Sequence, residues 1–302
     1  MSQNRSWSSR SIGSRLQHHI FYTLIRFGGR NAAYVLLFFV VLWYTIRPSI
    51  RARSTAYISR RFPRATGREQ FFHCFHLQME LGKTLVDRAT AGILRAFEIT
   101  GRAEDDDTLI RLHAEGNGVI LLSGHVGCWQ MAAMGLTVVN APVHVLLLRE
   151  QGDVDRHYFE HRSQKIPVSI IDPLGYLGGT LEMMAALAKG DLLCTMGDRV
   201  LGNDTNTVAV PFMGGTIRVP VSPYRLASAT GAPIVVTFAL RTGPGRARHE
   251  IAKIIRVPQG LGKQHAAYLP YALEFAAALE GITRKAPYQF FNFYDLWEKQ
   301  RK

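Results

Sequence analysis

The sequence predicts an α/β protein: a central, mostly parallel sheet flanked by helices, preceded by a membrane-associated N-terminal helix. Three observations carry this. From about residue 100 onward, short apolar runs alternate with amphipathic stretches, as strands and helices do around one sheet. With 302 residues, 47% hydrophobic and 20% charged, the chain can bury a large core and is too apolar for a disordered or fibrous protein. An uncharged run, 31–46, lies inside an acid-free, arginine-rich N-terminal zone.

Residues 1–64 hold eleven arginines and neither lysine nor acid, so +11 of the formal +13 charge sits in the first fifth of the chain. Such an imbalance implies an anionic partner. A full membrane span takes about 20 apolar residues, and 10–14 is more usual for a core or interfacial helix; this run of sixteen falls between. It starts too far into the chain for a signal peptide, and no small-residue cleavage pattern follows. Tyr34, Trp43 and Tyr44 are the amphipathic aromatics that settle at headgroup depth. The physical reading is a helix lying in, or dipping through, an anionic inner leaflet, with about 1 kcal/mol from each nearby basic residue. A buried core helix with a solvated arginine cuff is the competing reading. No nucleic-acid partner is expected, since such a surface has no use for sixteen apolar residues inside its basic patch. The chain thus divides into a basic anchor region, 1–66, and an α/β domain, 67–302.

Within that domain, apolar residues spaced by three or four predict a helix over 68–98, followed by an acidic turn at 101–107. Strands are expected at 119–122, 143–148, 168–171, 192–196, 207–212 and 234–240. Helices are expected at 129–139, 154–164, 180–189 and 223–230. Cys74, Cys128 and Cys194 are an odd set with no CxxC spacing, which argues against a disulfide scaffold and fits a reducing compartment.

One turn carries chemistry. Ser123-Gly-His-Val-Gly-Cys-Trp-Gln130 follows a buried strand and opens a helix, with His125 between Gly124 and Gly127. Glycines there permit positive φ and close approach of another molecule. A histidine at the carboxyl end of a strand in an open α/β sheet stands where ligands bind. As a neutral imidazole it can take a proton from a hydroxyl or amine, with Gln130 able to accept a hydrogen bond from the other ring nitrogen.

This turn resembles the Gly-His-x-Gly-x-Trp-Glu segment, the H-x4-D/E signature, of the lipid A biosynthesis (lauroyl/myristoyl) acyltransferases of Gram-negative bacteria, within the lysophospholipid acyltransferase superfamily. The likeness continues, in order, at Leu146-Leu-Leu-Arg149, at Met196-Gly-Asp198-Arg199, at Val208-Ala-Val-Pro-Phe-Met-Gly-Gly215, and through the strand that ends at Arg241. It implies transfer of a fatty acyl chain from an acyl carrier protein or coenzyme A thioester to a hydroxyl or amine of a glycolipid or other membrane lipid. His125 would be the general base of a direct attack. Arg149, Asp198 and Arg199 would line the substrate pocket, where Gly124 and Gly127 leave room. The resemblance implies no metal or bound cofactor, and a place on the inner (cytoplasmic) membrane with the catalytic domain facing the cytoplasm.

Two departures qualify it. Position 130 is glutamine where the family has a carboxylate; an amide holds the ring tautomer but does not neutralise an imidazolium. Three readings stay open: Gln130 suffices as an orienter, a neighbouring acid such as Asp198 supplies the charge, or catalysis is lost and the protein is a lipid-binding or scaffold member of the fold. The C-terminal Pro287-Tyr-Gln-Phe-Phe-Asn-Phe-Tyr-Asp-Leu-Trp297 also differs from the family's Trp-rich basic end, which leaves the acceptor lipid open. Other features invite only structural readings. His18-His19 and His73/His76 lack metal partners at suitable spacing. Gly175, Gly178 and Gly179 lack the Lys-Ser/Thr of a phosphate loop. Glu104 to Asp107 reads as a solvated acidic turn and helix cap.

Overall fold

Ser14 and Thr66 open the two longest helices by the same device. Each hydroxyl accepts the N–H three residues on, and the side chain found there, Gln17 or Glu69, accepts the cap's own N–H. The structure is a computed structural model that describes residues 14–132, 136, 138–148, 168–200 and 205–298. Helix α1 spans Arg15–Ile46, broken at Gly29 (φ 72°), α2 spans Pro48–Arg61, and α3 spans Gly67–Leu94.

The run expected at 31–46 is therefore the C-terminal half of a longer helix. Leu16–Ile46 is long and apolar enough to cross a bilayer, with mean hydropathy 1.4 over its most apolar stretch, of which 22% is buried. One side packs on α3: Ile25, Ala33, Leu37 and Val41 bury themselves against Val86. Gly82 lets Leu37 close in, since a Cβ there would lie 2.5 Å from the leucine Cδ1. The other side leaves Val35, Phe39 and Trp43 more than half exposed. The helix thus has a core-facing side and a large apolar side that is exposed among the described residues.

A seven-stranded sheet forms the centre, in the order β1-β9-β8-β2-β5-β3-β4. Its strands are β1 (Glu98–Thr100), β2 (Val119–Ser123), β3 (Val143–Leu146), β4 (Val168–Ile171), β5 (Leu192–Met196), β8 (Ile234–Gly243) and β9 (Arg246–Ile255). The five from β8 to β4 run parallel; β9 is antiparallel to β8 and carries β1 in parallel pairing. The other α-helices among the described residues are α4 (Ala103–His113), α5 (Trp129–Ala132), α6 (Thr180–Ala188), α7 (Ser222–Thr230) and α8 (Leu269–Lys285). The fold is the α/β architecture that the alternating pattern predicts.

Several expectations change in detail. The strand at 207–212 does not join the central sheet: β6 (Thr207–Phe212) pairs with β7 (Gly215–Pro220) as a separate hairpin. Met213 (φ 48°) and Gly214 (φ 70°) turn it, the left-handed pair that a two-residue hairpin loop requires. The acidic turn at 101–107 is instead the first turn of α4, where Glu104, Asp105 and Asp106 complement the positive helix end. Helix α3 stops at Leu94 rather than 98, because Arg95 turns left-handed (φ 54°) and the chain then enters β1. Of the helix expected at 129–139, the structure describes Trp129–Ala132. The helix expected at 154–164 and Arg149 lie outside the described residues.

The C-terminal aromatic segment folds back on the domain. Phe290, Phe291, Leu296 and Trp297 are buried, Trp297 Nε1 donates to the Phe212 carbonyl at 2.8 Å, and Phe290 bridges Val126.

Candidate active site

Strands β2 and β5 lie side by side and parallel, Ser123 opposite Met196, so their carboxyl ends share one rim. Four buried residues, Val119 to Leu122, fix β2 in the middle of the sheet. Beyond β2 the chain passes β5 to form β3; beyond β5 it passes β2 to form β8. The two connections leave in opposite directions, which makes the gap between these strand ends a topological switch point, where open α/β sheets bind ligands.

His125 and Asp198 stand at that gap. The His125 N–H donates to Asp198 Oδ2 at 3.0 Å, and Nδ1 lies 2.8 Å from Oδ1. In the neutral ring Nδ1–H is the donor, which leaves Nε2 as the acceptor nitrogen. The carboxylate is 1% exposed and the imidazole 12%. Burial pushes the Asp198 carboxyl up, but the charge of His125, the hydrogen bonds from it and the nearby Arg199 together hold it below the usual carboxylate range. Trp129 meets the imidazole edge to face at 5.2 Å.

Arg199 borders the pair. Its Nε is 3.9 Å from Asp198 Oδ2, its Nη2 donates to the Phe291 carbonyl at 2.7 Å, and its guanidinium lies over the Tyr294 ring. Burial lowers its pKa, against the pull of Asp198. Gln130 is engaged differently from Asp198: its carboxamide oxygen accepts a hydrogen bond from Arg88, a buried residue of α3.

The two glycines are filled from within. Gly127 has φ 58°, and a Cβ on it would lie 2.2 Å from the Ala239 carbonyl oxygen. A Cβ on Gly124 would meet Leu279 at 2.9 Å, with Asp198 just behind it. The turn is therefore pressed against β8, α8 and the acid. Three main-chain hydrogen bonds pin it: Phe291 N to His125 O (2.9 Å), Gly127 N to Gln289 O (2.8 Å) and Cys128 N to Ala239 O (2.6 Å).

The sequence singles out neither Gln289 nor Arg88, and 287–297 stands out there only as a departure from the family's C-terminal end. Gln289 clasps the Arg241 main chain from both sides, accepting from its N–H at 2.8 Å and donating to its carbonyl at 2.9 Å. Arg241 in turn reaches Asp87 of α3 at 2.8 Å. Gln289, one of three polar residues spaced by three in that aromatic segment with Asn292 and Asp295, was the available signal.

Among the described residues, no group of three or more His, Cys, Asp or Glu converges as a metal site. His73 lies flat against Phe62, ring centroids 3.8 Å apart, with Nδ1 2.8 Å from the Tyr288 hydroxyl, and belongs to aromatic packing.

The chain is similar to a known family: the family model described as bacterial lipid A biosynthesis acyltransferase matches residues 79–299. That stretch holds the His125 turn, Asp198, the β6–β7 hairpin and the whole 287–297 segment. No curated protein matches the chain.

Proposed function

Because the chain belongs to the bacterial lipid A biosynthesis acyltransferase family, and so to a family of acyltransferases, we propose that it moves a fatty acyl chain from an acyl carrier protein or coenzyme A thioester to a hydroxyl or amine of a membrane lipid, with His125 as general base. The observation that carries this reading is the Asp198–His125 pair at the switch point between β2 and β5.

The acceptor's O–H or N–H donates to His125 Nε2. As the acceptor atom attacks the thioester carbonyl, its proton passes to Nε2 and a tetrahedral oxyanion forms. The C–S bond then breaks, and the departing thiolate takes the proton from the imidazolium. Asp198 holds the ring by Nδ1 and offsets the charge it gains. In this reading Asp198 fills the part that the Gln130 amide does not. Arg199 and Arg149 supply positive charge toward substrate, and Gly124 and Gly127 keep the turn tight enough to present the imidazole.

The anchor region, 1–66, holds the α/β domain, 67–302, against the cytoplasmic face of the inner membrane, so that the acceptor enters from the leaflet. The apolar α1 and the family's association with membranes support this placement. An acidic carrier protein suits a chain of net charge +13.

The test is incubation of purified protein with acyl carrier thioesters and membrane lipid extract. The expected result is an acylated lipid whose formation falls by about 10²–10⁴ in His125→Ala, the usual contribution of a general base. A wild-type chain that binds lipid but makes no product above His125→Ala is instead a scaffold, the reading that Gln130 at the signature position favours.

A further inference from the structure

Helix α6 is apolar on both its inner and outer faces, apart from Thr180 and the exposed Glu182 of its first turn. Met183, Ala186 and Leu187 face the core, while Leu181, Met184, Ala185 and Ala188, spaced as one helical stripe, face outward and are exposed. A contiguous apolar stripe left exposed on a helix whose opposite face is in the core marks a contact with lipid or another molecule. The loop that enters it extends the same surface: Leu174 is 75% exposed, Tyr176 80% and Leu177 60%. From Pro173 to Leu181 there is no charged residue. Leu177 is moreover held outward at φ 50°, a left-handed conformation that a leucine adopts at a cost of about 1–2 kcal/mol. Leu177 thus combines a left-handed backbone with an exposed apolar side chain.

The position of this patch names its partner. The loop leaves the carboxyl end of β4, the rim that also carries His125 after β2 and Asp198 after β5. The β8–β9 turn lies on the same rim, and Gly245 in that turn donates to Asp87, which also accepts from Tyr34 of α1. Helix α1 at Tyr34 and the patch at 174–188 therefore lie toward opposite ends of one rim of the sheet, with the His125–Asp198 pair between them in strand order. From β8 to β4 is four strand spacings, about 19 Å.

We propose that Leu174, Tyr176, Leu177, Leu181 and Met184 form a second membrane contact, inserted at the depth of the lipid headgroups, so that with α1 the bilayer covers the rim bearing the active site. Tyr176, amphipathic and most exposed of the set, belongs at that depth. The two contacts fix which way the cleft faces, and a lipid leaving the leaflet between them meets the imidazole without crossing water. This rests on the proposed function for its purpose but not for its readout.

The experiment uses the full chain reconstituted in vesicles of phosphatidylethanolamine and phosphatidylglycerol, with and without brominated acyl chains. Leu177→Cys and, separately, Leu174→Cys carry an environment-sensitive fluorophore. Burial raises all three native thiols, Cys128 and Cys194 to about 12, which directs labelling to the new site. Asn117→Cys, exposed at the opposite end of β2, is the control. The expected result is a blue-shifted emission at 174 and 177 that brominated lipid quenches, with Asn117→Cys unquenched. Absence of quenching at both positions, or equal quenching at Asn117→Cys, overturns the proposal. So does a blue-shifted probe that neither brominated lipid nor aqueous iodide reaches, since the chain itself would then cover the patch. Quenching is read without turnover, so a chain inactive in acyl transfer would overturn the proposed function and leave this contact standing.

Discussion

Exchanging Asp198 for asparagine keeps the shape of the side chain and removes the charge that faces His125. In hydrolase triads the same exchange lowers the rate by about 10⁴, and a fall of about 10²–10⁴ in acyl transfer is expected here, measured against a variant whose folding is checked by circular dichroism. Gln130→Glu makes the contrasting case. Its carboxylate would meet Arg88, the present partner of the Gln130 amide, while Nδ1 of the imidazole stays on Asp198. The rate should therefore change less than about tenfold, whereas a family-type dyad through position 130 would gain far more. Acid dependence gives a third readout. The folded Asp198 carboxyl lies below its ordinary range, so its contribution to stability is present above the unfolded value of about 3.9 and disappears as pH falls through the lower folded value. Thermal unfolding should separate wild type from Asp198→Asn at neutral pH, and the gap should narrow below about pH 4.

Asp87 does for the elements what Asp198 does for the site. It is fully buried on α3 and gathers Tyr34 of α1 (2.5 Å), Arg30 of α1 (2.9 Å), Arg241 of β8 (2.8 Å) and the Gly245 N–H of the β8–β9 turn (3.0 Å). Asp87→Asn leaves two guanidinium groups facing a neutral amide, and breaking a buried pair in this way costs about 3–5 kcal/mol. Tyr34→Phe removes one hydrogen bond and should cost about 1 kcal/mol. In denaturant unfolding the double variant should fall short of the sum, because both residues act through one network. None of this network was legible in the sequence, for its members lie up to 215 positions apart. What was legible follows the strength of the local signal. Buried strands such as β2 and β5 are continuous apolar runs, and the glycine-flanked His125 marks its own turn. Strand β9, Arg-Ala-Arg-His-Glu-Ile-Ala-Lys-Ile-Ile, is polar and largely exposed or half-buried, so no apolar run announces it. The meeting of His125 with Asp198, 73 residues on, depends on strand order, which no local pattern encodes. The same holds for the return of Gln289 to the His125 turn.

For the whole molecule, charge and uncovered apolar surface gather in one region, and their different responses to salt separate what each contributes. Eleven arginines lie in residues 1–64, and Arg47 rests over the ring of the exposed Trp43 at 4.7 Å. Attraction between those arginines and anionic lipid weakens as the screening length shortens from about 8 Å at physiological salt to about 3 Å at 1 M. The apolar side of α1, with Val35, Phe39 and Trp43 outward, is not screened at all. In vesicle flotation the protein should favour phosphatidylglycerol-containing over neutral vesicles at low salt. Raising the salt to about 1 M should erase that preference without releasing the protein from either. Complete release at high salt would mean that charge alone holds the chain at the surface, and that the apolar side of α1 is covered by something other than lipid.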